Sequence, residues 1–271
     1  MINIRLKLDF YEIIDKEKEV VYSDNIKARI KKNIKNDNRY NGLYQERNSS
    51  IIFDNPSDNF LKSTYDNIKS NPLWFNRTKK PLSSLKDGTL EMQSSNSSDA
   101  LLMNIFCHPK FDSWKGVHDL LEIDNNASKE FGWNPIFENE NPSHRTEIDL
   151  KIGNHIFESK LTERDFTSKS ETVIHTYSDF FAVFDTELLN KSNNEYAHYQ
   201  LIRNVLTAYK YDFYFSILID SSRIDLIKEL INVITAIKIP ELRKRINFYT
   251  WQEIVDSCGE DLKEYIKHKY F

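Results

Sequence analysis

Glu147, Asp149, Glu158 and Lys160 flank the pair Gly153-Asn154 in the stretch RTEIDLKIGNHIFESKLTE. Gly-x pairs close two-residue β-hairpins, because glycine takes the positive φ that such a loop demands. With Gly153-Asn154 as the loop, pairing runs outward as Ile152 with His155, Lys151 with Ile156, and Leu150 with Phe157. Asp149 then faces Glu158, and Glu147 faces Lys160. Side chains alternate faces along a strand, so these four share one face while Ile148, Leu150, Ile152 and Phe157 form an apolar reverse face. Cross-strand Cβ atoms lie roughly 5 Å apart. Two carboxylates at that separation repel by about 3 kcal/mol at an effective dielectric of about 20. A hard divalent ion such as Mg²⁺, which takes oxygen ligands and keeps several waters, turns that repulsion into attraction. Lys160, two residues from Glu158 on the same face, is placed to position or deprotonate a water beside the ion. This is an apparatus for phosphodiester hydrolysis. The competing reading is a solvated strand face of mixed charge, with Glu147 and Lys160 as an ordinary cross-strand pair.

The elements that must carry this hairpin are legible around it. Ser97 or Ser98 caps a helix over 98 to 107, with Asp99 in its first turn and Leu101, Leu102, Ile105 and Phe106 as its apolar stripe. A second short helix is expected from Trp114 to Ile123, a strand from Asn134 to Glu140, and the hairpin over 145 to 162. Helices follow over 176 to 190 and from Glu195 to about Tyr209, the latter packing through Tyr199, Ile202, Val205 and Leu206. YFSILID (214 to 220) reads as a buried strand, and Ser221-Ser222 opens an amphipathic helix to about Ile237. INFYTW (246 to 251) reads as a last strand before a helical tail. The order is that of an α/β protein with a hairpin inside a mixed sheet.

Residues 1–95 are richer in Asn, Lys, Asp and Ser, and form an N-terminal extension to a domain over 96–271. Lys27, Arg29, Lys31, Lys32, Lys35 and Arg39 crowd one stretch, which as a helix keeps only Ile30 and Ile34 for packing. It is a solvated surface helix or a phosphate-contacting element. Arg77, Lys79 and Lys80 form a second basic patch, read as a loop.

The chain has 271 residues, of which 39% are hydrophobic and 29% charged, with a net charge of −4. That excludes a broadly basic coat for DNA but not a nucleic-acid enzyme, for which clustered charge matters more than the sum. No apolar run approaches the roughly 18 residues of a membrane span, and the start carries charges where a secretory signal needs an apolar run. Cys107 and Cys258 offer neither a disulfide framework nor a CxxC pair, so a reducing cytoplasm is expected. No glycine-rich phosphate loop occurs, so no nucleotide cofactor is expected. The seven histidines show no metal-site spacing, and His108 beside Cys107 has no second pair to complete a zinc site.

Asp149 with Glu158-Ser159-Lys160, set in this order of elements, resembles the PD-(D/E)XK, or restriction-endonuclease-like, superfamily with its αβββαβ core. SSDALLMNIF, HRTEIDL, FESKLTE and YQLIRNVLTA are also similar to segments of a bacterial group of restriction endonucleases. The resemblance implies a metal-dependent nuclease with Asp149 and Glu158 as metal ligands and Lys160 beside the attacking water. The metal it implies is Mg²⁺, with Mn²⁺ as the expected substitute. Ile148 stands where the superfamily's name has Pro. Such sites recruit a further acid from the preceding helix or strand: Glu138 is the expectation and Glu122 its alternative, while Glu147 is placed to hold Lys160. Gln200, Arg203 and Asn204 share one polar helix face, and Gln200 and Arg203 are the candidates for contacting DNA phosphates. The function implied is a DNA endonuclease of restriction or phage defence, acting on double-stranded DNA, with a homodimer as a further expectation. The alternatives are a catalytically silent nucleic-acid-binding module and a nuclease subunit of a transposition or repair complex.

Overall fold

The computed structural model describes residues 22–47, 49–138, 140 and 145–271. Helix α1 (Tyr22–Asn36) leads into the hairpin β1 (Tyr44–Arg47) and β2 (Ser50–Phe53), then α2 (Lys62–Ser70), α3 (Pro72–Arg77), α4 (Ser98–Phe106) and α5 (Lys115–Leu121). Strands β3 (Lys129–Trp133), β4 (Ile148–Ile152) and β5 (His155–Ser159) follow. Next come β6 (Ser168–Ser170), α6 (Glu171–Ile174), α7 (Phe180–Val183), β7 (Lys191–Ser192), β8 (Glu195–Ala197) and α8 (Tyr199–Tyr211). The chain ends with β9 (Tyr214–Ile219), α9 (Ile224–Ala236), α10 (Pro240–Arg243), β10 (Ile246–Thr250), α11 (Trp251–Asp256) and α12 (Glu260–Tyr270).

The central sheet has five strands in the order β10-β9-β5-β4-β3. The β3–β4 and β4–β5 pairs are antiparallel, while β5–β9 and β9–β10 are parallel. The β4–β5 rungs are those the Gly-Asn loop dictates: Ile152 with His155, Lys151 with Ile156, Leu150 with Phe157. Gly153 takes φ 56° to close the turn. Helices cover both faces of this sheet, so β5 is buried at every position.

Period-2 alternation distributes the strands' apolar residues between two clusters. Leu150, Ile152, Phe157, Leu218 and Tyr249 pack with α1, α4, α11 and α12. Ile156, Phe215, Ile217, Ile219, Ile246 and Phe248 pack with α8 and α9. Ile148, expected with Leu150 and Phe157, lies instead in the second cluster, where Arg203 of α8 holds the neighbouring Thr146 carbonyl. Ile26, Ile30 and Ile34 of α1 are buried in the first cluster beside Leu101 and Phe106. The described part of the N-terminal segment thus shares a core with the residues after 95; residues 1–21 lie outside the described set.

Three expected elements are corrected. The strand before the hairpin is Lys129–Trp133 rather than 134 to 140. Pro135 has no N–H for a ladder, and the Ile136 N–H goes to the Tyr211 hydroxyl; residue 139 lies outside the described set. The helix over 176 to 190 is reduced to α7, because Asp185 N–H bonds to Ala236 O and Phe184 bridges to Ile237. Glu195–Ala197 is a strand paired with Ser168–Ser170, and the helix begins only after His198, whose φ of 61° breaks the chain direction. The α4 helix forms as expected, with Ser97 Oγ accepting from Ala100 N–H at 3.1 Å. No described helix is long and apolar enough to cross a membrane. Both cysteines are free and buried.

Candidate active site

Asp149 on β4 and Glu158 on β5 are placed by the hairpin register on adjoining central strands. The Ser159 N–H donates to Asp149 Oδ2 at 2.7 Å, tying the two strands at this point. Glu158 is 2% exposed and its two oxygens are separately held. Gln200 Nε2 donates to Oε1 at 2.8 Å and Asn204 Nδ2 to Oε2 at 2.9 Å, both from α8. Lys160 Nζ lies 3.0 Å from Glu158 Oε1 and donates to Gln200 Oε1 at 2.9 Å. Gln200 therefore joins the acid to the base, with its amide oriented by both.

Burial alone would push the Lys160 ammonium down, but the charges of Glu158, Glu163 and Asp149 outweigh it and raise its pKa. The same acids that surround Lys160 thus favour its charged form.

Asp149 behaves oppositely. Burial first, then the charges of Glu158 and Asp99, raise its pKa well above the usual carboxylate range against the pull of Lys160 and the Ser159 N–H. A raised carboxylate pKa beside further acids marks a place where added positive charge is favourable.

Asp99, at the start of α4, is 2% exposed and faces this cluster. Arg77 at the end of α3 donates through Nη2 to both of its oxygens, at 2.9 and 2.8 Å. The same nitrogen is 4.0 Å from Asp149 Oδ1, and Nη1 is 3.4 Å from Glu147 Oε1. Arg77 fits because of Gly132. The β3–β4 rungs Phe131–Leu150 and Trp133–Ile148 leave Gly132 opposite Asp149. A Cβ at Gly132 would come within 2.2 Å of Arg77 Nη1 and 2.8 Å of Glu147 Oε2, and its φ is 67°. Lys80 Nζ completes the cation set, 2.7 Å from Glu147, 3.2 Å from Glu91 and 3.8 Å from Asp99. Glu147 is desolvated, which raises its pKa, yet Arg77 and Lys80 bring it below the usual range. Glu91, by contrast, is raised by burial and by Asp99.

The remaining expected site residues are sorted by this geometry. Glu147 pairs with Lys80 and Arg77 rather than with Lys160. Glu138 is exposed in a turn after β3 and not on a strand; the preceding helix contributes Asp99 in its place. Arg203, expected toward DNA, is fully buried. It bonds Glu140 through Nε at 2.8 Å and the carbonyls of Thr146 and Pro135 at 2.5 and 3.3 Å. Its role is to fasten the segment entering β4. Asp99, Arg77 and Lys80 were not found from the sequence. The only signals were an acid at the head of an otherwise apolar helix and a basic patch before a turn.

Asp149 and Glu158 supply hard oxygen donors, and Mg²⁺ is commonly bound by one or two carboxylates plus waters. The donor set fits such an ion. Among the described residues no three His, Cys, Asp or Glu gather as a metal-binding group, so waters and substrate would complete the shell. Six acids (Glu91, Asp99, Glu147, Asp149, Glu158, Glu163) here meet three cations (Arg77, Lys80, Lys160). The cluster lies between two open grooves. One, of about 650 Å³, runs along α3 and β3 and includes Arg77, Lys80 and Glu147. The other, of about 560 Å³, includes Glu91, Ser98 and Glu163. The Lys80–Glu91 pair joins their linings.

A mixed five-stranded sheet flanked by helices is consistent with the α/β architecture of restriction-endonuclease-like proteins. Residues 25–271 match the family described as Restriction Endonuclease associating with ARP, and the chain belongs to that family. The membership gives the chain a nuclease role. No curated protein and no solved structure matches it.

Proposed function

We propose that the chain is a metal-dependent DNA endonuclease of the PD-(D/E)XK type, serving restriction or phage defence on double-stranded DNA. The observation that carries this reading is the placement of Asp149 and Glu158 on adjoining strands with Lys160 locked beside Glu158 by Gln200. Asp149 and Glu158 hold Mg²⁺, or Mn²⁺ in its stead. Bound there, the ion lowers the pKa of a water and stabilises charge on the phosphate. Lys160, kept cationic, orients that water or neutralises a phosphate oxygen. Gln200 and Asn204 fix the Glu158 carboxylate and leave it little freedom to turn away. Two open grooves, one lined by Glu147 and the other by Glu91 and Glu163 of the same cluster, suit a polymer rather than a small ester. The family's description names an ARP partner, and we carry that association over to this chain; a homodimer cutting both strands belongs to the same proposal.

A second reading, a DNA-binding module without catalysis, draws support from the pairing of Asp99, Glu147 and Glu158 with Arg77, Lys80 and Lys160 and from the lack, among the described residues, of a gathered three-ligand set. Incubation of pure protein with supercoiled plasmid and Mg²⁺ or Mn²⁺, beside Asp149→Ala and Glu158→Ala, separates the two. Cutting by the wild type, abolished in both variants with DNA binding retained, supports the nuclease. No cutting with either metal, with or without the partner, leaves the binding module.

A further inference from the structure

The groove along α3 and β3 differs in chemistry from the one on the far side of the acids. The far groove presents hydroxyls and amides, among them Ser94, Asn96 and Thr162, beside Lys27, Arg47 and Arg164, and no aromatic ring. The near groove holds Trp74, Phe131 and Trp133 beside Arg77, Lys79 and Lys129. Trp74 stands edge-on to Phe131, with centroids 6.1 Å apart and planes at 87°. Lys129 is tied to Asp112 at 2.7 Å and lies over the Phe111 ring, so its charge is partly spent. Lys79 is exposed, lies over Phe75 and pairs with no carboxylate among the described residues. The groove's acids are both paired, Glu147 with Lys80 and Glu130 with Lys151. Of the groove's cations, Arg77, Lys80 and Lys129 are paired with carboxylates, which leaves Lys79 as the positive charge open to an anionic occupant.

Leu73 stands on its rim and is 83% exposed, the most exposed large hydrophobic side chain in the described structure. Pro72 precedes it at the first turn of α3, where Asn71 Oδ1 accepts from the Leu73 N–H at 3.1 Å. An apolar side chain on a rigid tip beside a groove of rings and cations is the arrangement with which proteins part base steps. Aromatic faces then receive the freed base by stacking.

We infer that this groove receives an unpaired nucleotide next to the cleaved bond, with Leu73 as the wedge and Trp74 and Phe131 as the surface on which the base rests. The inference rests on the nuclease reading and narrows it: the substrate is DNA with an unpaired or readily unpaired position beside the cut. The far groove, without rings, takes backbone.

The test uses binding alone. Wild type, Leu73→Ala, Trp74→Phe and Lys79→Ala are titrated by anisotropy, with Ca²⁺ in place of Mg²⁺, against two duplexes of one sequence. One duplex is fully paired; the other carries a single mismatch, with 2-aminopurine as the reporter base. Wild type is expected to prefer the mismatched duplex by about 10-fold and to raise the 2-aminopurine fluorescence as the base unstacks. Leu73→Ala, which removes an exposed side chain and leaves the fold intact, loses both effects; Trp74→Phe keeps the preference in part. Lys79→Ala weakens binding to both duplexes alike and lowers the salt slope by about 1. Equal wild-type affinity for the two duplexes, an unchanged Leu73→Ala, or no binding to either duplex overturns the inference. Plasmid cutting is scored separately: cutting without mismatch preference removes the groove's role alone, and preference without cutting removes the nuclease alone.

Discussion

Arg77 and Asp99 are joined by two hydrogen bonds from a single nitrogen, with side chains 8% and 3% exposed. One partner comes from the N-terminal segment and the other from the helix preceding the sheet. Together they set the charge beside Asp149, whose Oδ1 is 4.0 Å from the same guanidinium nitrogen.

Removing one member of a buried pair leaves an uncompensated charge. Arg77→Met is expected to cost about 3–5 kcal/mol, and Arg77→Met with Asp99→Asn to recover much of it. Urea melts of the wild type, the two single variants and the double variant give the coupling. Additive single effects would mean the two side chains act independently. Gly132→Ala should imitate the loss, since the left-handed backbone alone costs about 1–2 kcal/mol for alanine and the new methyl meets Arg77.

Asp149 is expected to destabilise the fold while it supports the chemistry. Its pKa is raised in the folded chain, so the folded state binds the proton more tightly than the unfolded state. Stability attributable to Asp149 therefore falls as pH rises from the ordinary carboxylate range through its folded pKa. In EDTA, Asp149→Asn should melt higher than wild type at neutral pH, by roughly 1–2 kcal/mol, and the gap should close as pH falls below about 4. Mg²⁺ should narrow the gap by stabilising only the wild type, and cutting should drop by roughly 10³-fold in the variant. Equal melting temperatures across the pH range would contradict the cause assigned to the shift.

Gln200 touches both Glu158 and Lys160, so Gln200→Ala should lower kcat about 10–100-fold with a stability loss of about 1–3 kcal/mol. KM for DNA should stay within about twofold, as expected for an orienting side chain rather than a substrate contact. A large rise in KM with unchanged kcat would instead make Gln200 a DNA contact.

Arg203 gives the opposite pattern. Arg203→Ala leaves the buried Glu140 with only the Tyr177 hydroxyl and the more distant Arg145 and should cost about 3–5 kcal/mol, while the fraction that remains folded binds DNA as tightly as wild type. Chemical melts paired with anisotropy at low temperature report both quantities. Weakened DNA binding by folded protein would restore the phosphate contact that its burial argues against.

The hairpin was legible because its information is local. Gly153-Asn154 fixes the loop, strict alternation fixes the faces, and a one-residue slip would turn Leu150 and Ile152 away from the face of Phe157. Ser97 before an apolar run, and YFSILI and INFYT as short apolar stretches, were readable for the same reason: caps and periods are written within a few residues. The strand at Lys129–Trp133 was not, because an edge strand needs little apolar pattern and KEFGW has less than the NPIF that follows it.

By itself the sequence determined the hairpin register that puts Asp149 and Glu158 on adjoining strands. Only the tertiary structure decided which other charges surround them. Gln200 and Arg203 are three residues apart on one helix and read alike in sequence, yet one meets Glu158 and the other Glu140, according to what packs against each side of α8. Arg77 and Lys80 reach the site from one segment and Asp99 from another, and Arg77 fits because residue 132 has no side chain. Periodicity tells a residue which way to face; it carries no record of which distant segment will be waiting there.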